Sequence, residues 1–310
     1  MNYVYNYSWD ENERHLCAME MRTLFGKGSE SNILESALKV DPNRSPFIRE
    51  RIEVLCEAET LQDLAQQVKA LPELQSTFKV IYVKDPIFID SDKTGFEERR
   101  KAEREVGLSV KGKADLHNPG ILLGIKKVNC RWIFGKYIKN EAIWLKHQQK
   151  PNSYSTALST RIARAVVNIA VPDPIGKKVI DPCCGIGTVL VEDLSMGIDI
   201  EGSDINPLVI PGAKENIKHF GLHGHVEFKD IRDVKGTYDA AIIDLPYNLC
   251  SVITPQEQLE MLESARRFTE RLVIVTVEKI DSAVEQAGFT IEDRCVVTKG
   301  NFMREIIVCV

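Results

Sequence analysis

A repeated pattern of strand, glycine-containing turn and helix runs through the second half of the sequence, and it restricts the fold more than any other feature. The predicted strands are residues 177–181, 199–203, 226–228, 240–243, 272–276, 291–298 and 305–310. Helix-like segments between the first five strands are typical of a parallel sheet covered on both faces. Only residues 299–302 separate the last two strands, which predicts a closing hairpin and a seven-stranded α/β sheet. A dinucleotide-binding Rossmann sheet normally ends in a parallel strand instead.

The first half of the sequence mixes strand-like and helix-like stretches and contains no internal repeat. Period-two alternation predicts strands, and helical spacing of apolar residues predicts helices at 11–24, 59–71 and 97–105. These elements predict two small α+β modules that meet near residue 57. The polar segment 148–153, which contains Pro151, is the predicted linker to the α/β half.

The composition excludes several classes of protein. Hydrophobic residues make up 44% and charged residues 27% of the chain, as in soluble globular proteins. The apolar runs are shorter than the roughly 18 residues that a membrane span requires. Acids at Asp10, Glu11 and Glu13 lie close to the first Met, unlike in a signal peptide, and the eight cysteines lack the spacing of a disulfide framework. We therefore expect a cytoplasmic chain with reduced thiols and no membrane segment.

Basic residues are concentrated at the end of the first half. Seven lysines and arginines but only one acid, Glu141, lie between Lys126 and Lys150, although the whole chain has a net charge of -5. Such a run attracts polyanions, and the alternative is a solvated face beside the linker. The candidate nucleic-acid-binding residues are Lys126, Lys127, Arg131, Lys136 and Lys139.

The segment from Asp181 to Thr188 (Asp-Pro-Cys-Cys-Gly-Ile-Gly-Thr) follows an apolar strand and opens a helix. Gly185 and Gly187 allow a tight turn and a close approach of the backbone to a ligand, although a turn without a ligand is the alternative. Leu190 stands where a pyrophosphate-binding loop has its third glycine. The motif therefore favours a ligand with an amino-acid end and a nucleoside end over a dinucleotide.

Two further carboxylates follow the next two predicted strands. Asp204 can accept hydrogen bonds from both hydroxyls of a ribose, or it can simply cap the following helix. Asp230 can accept the amino group of an adenine whose ring Ile231 flanks. We count Ile205, which adjoins Asp204, with these cofactor-binding candidates.

Asp244-Leu245-Pro246-Tyr247 follows the fourth predicted strand and is the most informative motif. The exocyclic amine of a nucleobase is a poor nucleophile, because its lone pair is delocalised into the ring. The Asp244 carboxylate and the Leu245 carbonyl, aimed by Pro246, could draw the N–H bonds and relocalise that lone pair. Tyr247 could stack on the base. The motif predicts methyl transfer to a planar amine.

These motifs resemble those of a known family. Residues 181–192 resemble the DPxCGxGTxLxE motif of class I S-adenosylmethionine-dependent RNA methyltransferases. Residues 244–247 resemble their (D/N)-P-P-(Y/F) motif, with Leu245 in place of the first proline. Residues 115–125 resemble the last segment of a THUMP RNA-binding domain, and residues 154–159 resemble the segment that precedes the catalytic domain in THUMP methyltransferases.

The resemblance implies a fold and a function. It implies a ferredoxin-like domain at 1–57, a THUMP domain at 58–147 and a Rossmann-like methyltransferase domain at 148–310. The group that it resembles methylates guanine N2 at position 10 of tRNA, with S-adenosylmethionine as the cofactor and tRNA as the partner. Asp181, Gly185, Gly187, Thr188, Asp204, Ile205, Asp230, Ile231 and Asp244 would bind the cofactor, and Asp244 to Tyr247 would carry the catalysis.

Other interpretations stay open at this point. The same motif would serve N6-methylation of adenine or N2-methylation of a guanine in ribosomal RNA, and a non-catalytic RNA-binding protein is a further alternative. Pro182-Cys183 is formally the nucleophile pair of cytosine-5 methylation, but it lies in the glycine loop. We expect no metal, because His219, His223 and His225 lack a neighbouring cysteine pair.

Overall fold

Strands and helices alternate through most of the second half of the chain, as the sequence predicts. The computed structural model describes residues 2–28, 32–85, 95–154, 157–246, 253–299 and 302–310. Its strands are β1 (Tyr3–Tyr7), β2 (Ile33–Ser36), β3 (Ile48–Ala58), β4 (Phe78–Tyr82), β5 (Ile121–Val128), β6 (Arg131–Lys139), β7 (Lys178–Asp181), β8 (Asp199–Asp204), β9 (His225–Phe228), β10 (Ala240–Asp244), β11 (Leu272–Thr276), β12 (Ile291–Lys299) and β13 (Phe302–Cys309). Its α-helices are α1 (Arg14–Phe25), α2 (Leu61–Ala70), α3 (Phe96–Ser109), α4 (Thr160–Ala170), α5 (Thr188–Ser195), α6 (Ile210–His219), α7 (Pro255–Phe268) and α8 (Asp281–Gln286).

The chain divides into two compact units. The first comprises Met1–Ser8, Ser29–Asn43 and Phe47–Glu141, and the second comprises Trp9–Gly28, Arg44–Pro46 and Ala142–Val310. The expected junction near residue 57 falls inside β3, which runs from Ile48 to Ala58. The division of the first half into ferredoxin-like and THUMP domains stays a prediction.

The first unit contains a mixed sheet. Its described strands are ordered β2-β1-β3-β6-β5-β4, with β4 and β5 parallel and the other pairs antiparallel. Asn129 and Cys130 join β5 to β6 with φ angles of 47° and 65°, the conformation of a type I′ hairpin turn. The apolar faces of α2 and α3 pack on this sheet through residues such as Leu64 and Val106.

The second unit contains the seven-stranded sheet that the sequence predicts. Within the described residues its order is β12-β13-β11-β10-β7-β8-β9. Strands β11, β10, β7, β8 and β9 are parallel to one another. β13 runs antiparallel to both of its neighbours, β11 and β12, and forms the closing hairpin with β12. The α/β fold is therefore confirmed.

Helices cover both faces of this sheet. α7 and α8 bury residues such as Leu262 and Val284 against Ile243 on one face. On the other face Leu190 of α5 packs against Gly202 of β8. α4 begins at the predicted cap, where the Ser159 hydroxyl accepts the Ile162 N–H at 3.3 Å.

Two details differ from the sequence-based expectation. The short strand β2 was not predicted, because its four residues show no clear alternation. A helix was expected between β9 and β10, but the described chain there forms only a single 3-10 turn at Ile231–Asp233. The segment that follows contains Gly236 at a φ of 96°, which does not continue a helix.

No helix in the described part of the chain is long and apolar enough to cross a membrane.

Candidate active site

The carboxyl ends of β7, β8 and β10 lie together where the strand order of the sheet reverses. From β7 the chain adds β8 and β9 on one side, and β10 and β11 on the other. Open α/β sheets bind ligands in the crevice beyond the strand ends at such a reversal. The structure therefore brings to one edge the three motifs that the sequence places after these strands.

The glycine bend after β7 depends on two left-handed residues. Gly185 has a φ of 52° and Gly187 a φ of 76°, values that other residues rarely adopt. The Cys184 N–H donates to the Ser203 carbonyl at 2.9 Å, which fastens the bend to β8. A β-carbon at Gly185 would lie only 2.5 Å from the Tyr154 hydroxyl. The bend therefore needs glycine for its conformation, and a β-carbon at Gly185 would also force the end of the Tyr154 side chain to move.

Asp181 and Thr188 flank this bend and are both buried. Asp181 Oδ1 accepts the Cys183 N–H at 3.1 Å, so its carboxyl shapes the bend from inside. Burial raises the pKa of Asp181 well above its usual range, and Asp204 and Asp244 add to that rise. Thr188 Oγ1 is buried without a hydrogen-bond partner among the described residues. α5 begins at Thr188 with no side-chain cap, which leaves a polar N-terminus at the bend.

Asp204 at the end of β8 links the bend to the loop that follows. Its Oδ2 accepts the Gly185 N–H and its Oδ1 accepts the Asn206 N–H, each at 2.8 Å. Burial raises the pKa of this carboxyl, while the two backbone N–H groups act to lower it. Each carboxylate oxygen can accept a second hydrogen bond, so Asp204 can hold the bend and a ligand hydroxyl together.

Asp230 forms a tight ion pair with Arg232. Its oxygens accept the guanidinium at 2.6 Å and 3.0 Å, and this pairing lowers the pKa of Asp230. An adenine amino group would therefore share this carboxylate with Arg232. Ile231 next to it is only 5% exposed and belongs to the core beneath the sheet.

Exposed apolar side chains lie beside Asp204. Ile205, a predicted cofactor contact, is 60% exposed. Phe228 pairs with Asp204 in the register of β8 and β9, and it is 62% exposed. Sequence reasoning missed Phe228, although an aromatic residue at the carboxyl end of an outer parallel strand was a usable signal.

Asp244 ends β10 beside the bend. Its Oδ1 is buried and has no hydrogen-bond partner among the described residues. Burial raises the pKa of Asp244 to about 7, and the positive charge of Arg304 opposes that rise. The Leu245 N–H donates to the Val275 carbonyl at 2.9 Å, which fixes the backbone directly after the carboxylate. Leu245 is buried and Pro246 half-buried, whereas Tyr247 lies outside the described residues.

Arg304 of β13 is a second residue that sequence reasoning missed. It is 5% exposed, and its charge acts on Asp244. An arginine within a strand that is otherwise largely apolar was the available signal. Nothing in the sequence alone pairs it with a residue sixty positions earlier.

The thiols of the bend are poorly suited to nucleophilic chemistry. Burial raises the pKa of Cys183 well above its usual range, and Asp181, Asp204, Asp244 and Asp230 raise it further. Burial likewise raises the pKa of Cys184. Because the thiolate is the nucleophile, this setting disfavours the cytosine-5 alternative. Among the described residues no group of histidine, cysteine or carboxylate side chains is arranged to hold a metal ion.

The candidate RNA-binding cations belong to the first unit and differ in their surroundings. The Lys126 side chain is buried in an ion pair with Asp85. Arg131 pairs with Glu35 and Glu57, and Lys127 lies 5.8 Å from the centre of the Trp132 ring. Lys136 and Lys139 are exposed on β6. The structure therefore leaves the charges of Lys136 and Lys139 the most accessible of the five.

Comparisons with known proteins find similar sequences and a similar fold. The family described as UPF0020, RMKL-like, methyltransferase domain matches residues 147–287. The tRNA (guanine(10)-N2)-dimethyltransferase of Methanothermobacter thermautotrophicus is 28% identical over 240 residues, which cover 73% of this chain and 68% of that protein. The enzyme of the same name from Pyrococcus abyssi is 31% identical over 162 residues and covers 48% of each chain.

A solved structure shows the same fold. The structure of SMU.472, a putative methyltransferase complexed with SAH, superposes with a TM-score of 0.50 at 16% identity, over 99% of this chain and 97% of that one. At this identity the likeness concerns the fold alone. The matched family model covers β7 to α8, which include the glycine bend, Asp204, Asp230 and Asp244. Residues 147–287 therefore match a methyltransferase domain, that of the family described as UPF0020, RMKL-like.

Proposed function

We propose that this chain transfers a methyl group from S-adenosylmethionine to N2 of a guanine in RNA, with tRNA as the substrate. The observation that carries the proposal is the Asp244 carboxylate. The Asp244 side chain is half-buried, and its buried Oδ1 has no hydrogen-bond partner among the described residues. Asp244 ends β10, and the neighbouring strand β7 leads into the glycine bend. A buried acceptor without a partner is costly unless a ligand supplies the donor.

The residues around the bend suit S-adenosylmethionine. The backbone at Gly185 and Gly187 and the uncapped start of α5 would hold the amino-acid end, whose carboxylate suits a helix N-terminus. Asp204 has acceptor capacity left for ribose hydroxyls, and the exposed face of Ile205 would cover the adenine. Asp230 would accept the adenine amine in competition with Arg232. When bound, S-adenosylmethionine supplies an electrophilic methyl group on a sulfonium sulfur.

Asp244 and Leu245 would prepare the guanine amine. An ionised Asp244 accepts one N–H of the amine and the Leu245 carbonyl accepts the other, which restores the lone pair to nitrogen. Asp244 is also the base beside the amine that can take up the proton lost after transfer. Tyr247, outside the described residues, would stack on the base. A guanine in a helix would have to be flipped out of its stack to reach the buried Oδ1 of this carboxylate.

The substrate class rests on the similar proteins and on charge. Two relatives are named for N2-methylation of guanine 10 in tRNA. Lys136 and Lys139 on the first unit offer exposed positive charge for a phosphate backbone. We propose the same reaction for this chain in the cytoplasm, with residues 58–147 as a THUMP domain that binds the RNA, and with one or two methyl groups added.

Alanine substitution of Asp244 tests the proposal. Asp244→Ala should bind S-adenosylmethionine with nearly unchanged affinity in calorimetry but lose at least 100-fold in methyl transfer to unmodified tRNA, because the amine loses its acceptor. Asp199→Ala, an exposed acid at the opposite end of β8, is the matched control and should keep full activity. If Asp244→Ala loses cofactor binding and activity together, Asp244 supports the cofactor pocket and does not orient the amine.

A further inference from the structure

Arg304 and Asp244 lie on the same face of the second sheet, near the same edge. Asp244 is in register with Val275 of β11, and Val275 is in register with Ile306 of β13. Residues in register on neighbouring strands point to the same face, as do alternate residues along one strand. Ile306 therefore places Arg304 on the face of Asp244. Because β13 runs antiparallel, Arg304 lies toward the edge where β10 ends.

The separation suits a direct electrostatic interaction. Asp244 and Arg304 are two strands apart, or about 10 Å between backbones at the usual strand spacing. A guanidinium on its long side chain can cross most of that distance over the end of β11. Arg304 is only 5% exposed, so its charge is poorly screened by solvent.

The other groups that face Asp244 do not supply positive charge. Asp181 comes from β7 and Cys183 from the bend, and both interact with the Asp244 charge. The negative charge of Asp204, at the end of β8, also acts on Asp181 and Cys183. Within the described residues Arg304 is the one cation found to act on Asp244.

We propose that Arg304 is a positioning residue for the methyl transfer, because its guanidinium holds the Asp244 carboxylate in the ionised form that accepts the target amine. This inference rests on the proposed function. A protonated Asp244 would present an O–H donor to an amine that itself donates, which is the wrong polarity. Burial favours that protonated form, and Arg304 counteracts it without contacting the substrate.

Arg304→Gln removes the charge, and Arg304→Lys keeps it on a shorter group. Arg294→Gln on β12, exposed and paired with Asp281 and Glu305, is the matched control. Thermal melting first establishes that each variant is folded. Carbon-13 NMR of aspartate-labelled protein then follows the Asp244 carboxyl, which the loss of its signal in Asp244→Asn identifies. Single-turnover methyl transfer to tRNA from pH 6 to 9 and calorimetry with S-adenosylmethionine complete the set.

Arg304→Gln should raise the titration midpoint of Asp244 by about one pH unit and move the acid limb of the rate profile upward equally. Because the rate follows the ionised fraction of Asp244, the rate at pH 7 should fall about fivefold and should recover by pH 9. Arg304→Lys should have a titration midpoint and a pH profile close to those of the wild type, and Arg294→Gln should have the same midpoint and profile as the wild type. The affinity for S-adenosylmethionine should change less than twofold in every variant.

Two results separate failure of this inference from failure of the proposed function. If wild-type protein methylates tRNA but Arg304→Gln leaves the Asp244 midpoint unchanged, or slows transfer equally at every pH, Arg304 does not position Asp244. If the midpoint moves as expected but wild-type protein transfers no methyl group to RNA, the electrostatic link stands and the proposed function is wrong.

Discussion

The protonation state of Asp244 decides whether this residue can serve the proposed reaction. Burial raises its pKa to about 7, so the carboxyl is largely neutral below that pH and ionised above it. Because only the ionised form accepts an N–H, the single-turnover rate of methyl transfer should rise as pH increases from 6 to 8. The activity of Asp244→Asn, which cannot titrate, should be low and flat over that range. A wild-type rate that is constant from pH 6 to 8 would contradict this assignment.

Asp204 supports the glycine bend and, in our proposal, the ribose. Asp204→Ala removes the acceptor of the Gly185 and Asn206 N–H groups and the ribose contact together. Hydrogen bonds to a charged group contribute about 1.5–3 kcal/mol each, so the dissociation constant of S-adenosylmethionine should rise at least tenfold in calorimetry. Asp199→Ala at the other end of the strand serves again as the control. An affinity for S-adenosylmethionine that Asp204→Ala leaves unchanged would remove Asp204 from the cofactor site.

The sequence predicted which acidic residues lie at the site, but it did not predict which other side chains surround them. Asp181, Asp204 and Asp244 each follow a predicted strand, and parallel strands necessarily bring their carboxyl ends to one edge. The pairing of Asp244 with Arg304 depends on the register of an antiparallel strand sixty residues later, which no local pattern encodes. Lys126 was predicted to be a surface charge, but its side chain is buried against Asp85.

A buried polar network fastens α1 to α4 in the second unit. Glu20 of α1 is fully buried, and it accepts the Ser45 hydroxyl and the Asn168 amide. Burial raises the pKa of Glu20 to about 7, with partial compensation from the two hydrogen bonds and from nearby Arg44 and Arg164. The folded chain therefore retains a proton that the unfolded chain releases at a lower pH.

This network predicts a pH-dependent stability. As pH rises from the unfolded pKa of Glu20 to about 7, the wild type should lose stability, because the folded state holds the proton more tightly. Glu20→Gln cannot lose this proton, so from pH 5 to pH 8 it should gain about 1–3 kcal/mol in unfolding free energy relative to the wild type. Urea denaturation at both values measures the difference, with exposed Glu11→Gln as the control. Equal pH dependence in wild type and Glu20→Gln would show that Glu20 is not the titrating group.

Strong local patterns predicted most elements of the second unit. β11 is apolar at nearly every position because it is covered on both faces, and α4 carries both its apolar spacing and its cap at Ser159. The membership of α1 in the second unit could not be predicted, because its partners on α4 lie more than 130 residues away. Long-range polar pairing of this kind leaves no periodic signal.

For the whole molecule, the distribution of charge predicts how RNA binds. The double variant Lys136→Glu/Lys139→Glu should raise the dissociation constant for tRNA about tenfold and reduce the salt dependence of binding by about one to two ion equivalents. Filter binding across a salt series measures both. Lys69→Glu, an exposed lysine on α2, should change neither. If all three proteins bind tRNA alike, the RNA surface lies elsewhere.

The nucleoside that the chain produces tests the central claim most directly. Wild-type protein, unmodified tRNA and S-adenosylmethionine labelled in the methyl group are incubated together, and the RNA is digested and analysed by mass spectrometry. We predict label in N2-methylguanosine or N2,N2-dimethylguanosine, and none when inosine, which lacks that amine, replaces guanosine in the transcript. Label in N6-methyladenosine or 5-methylcytidine instead would contradict the proposed reaction.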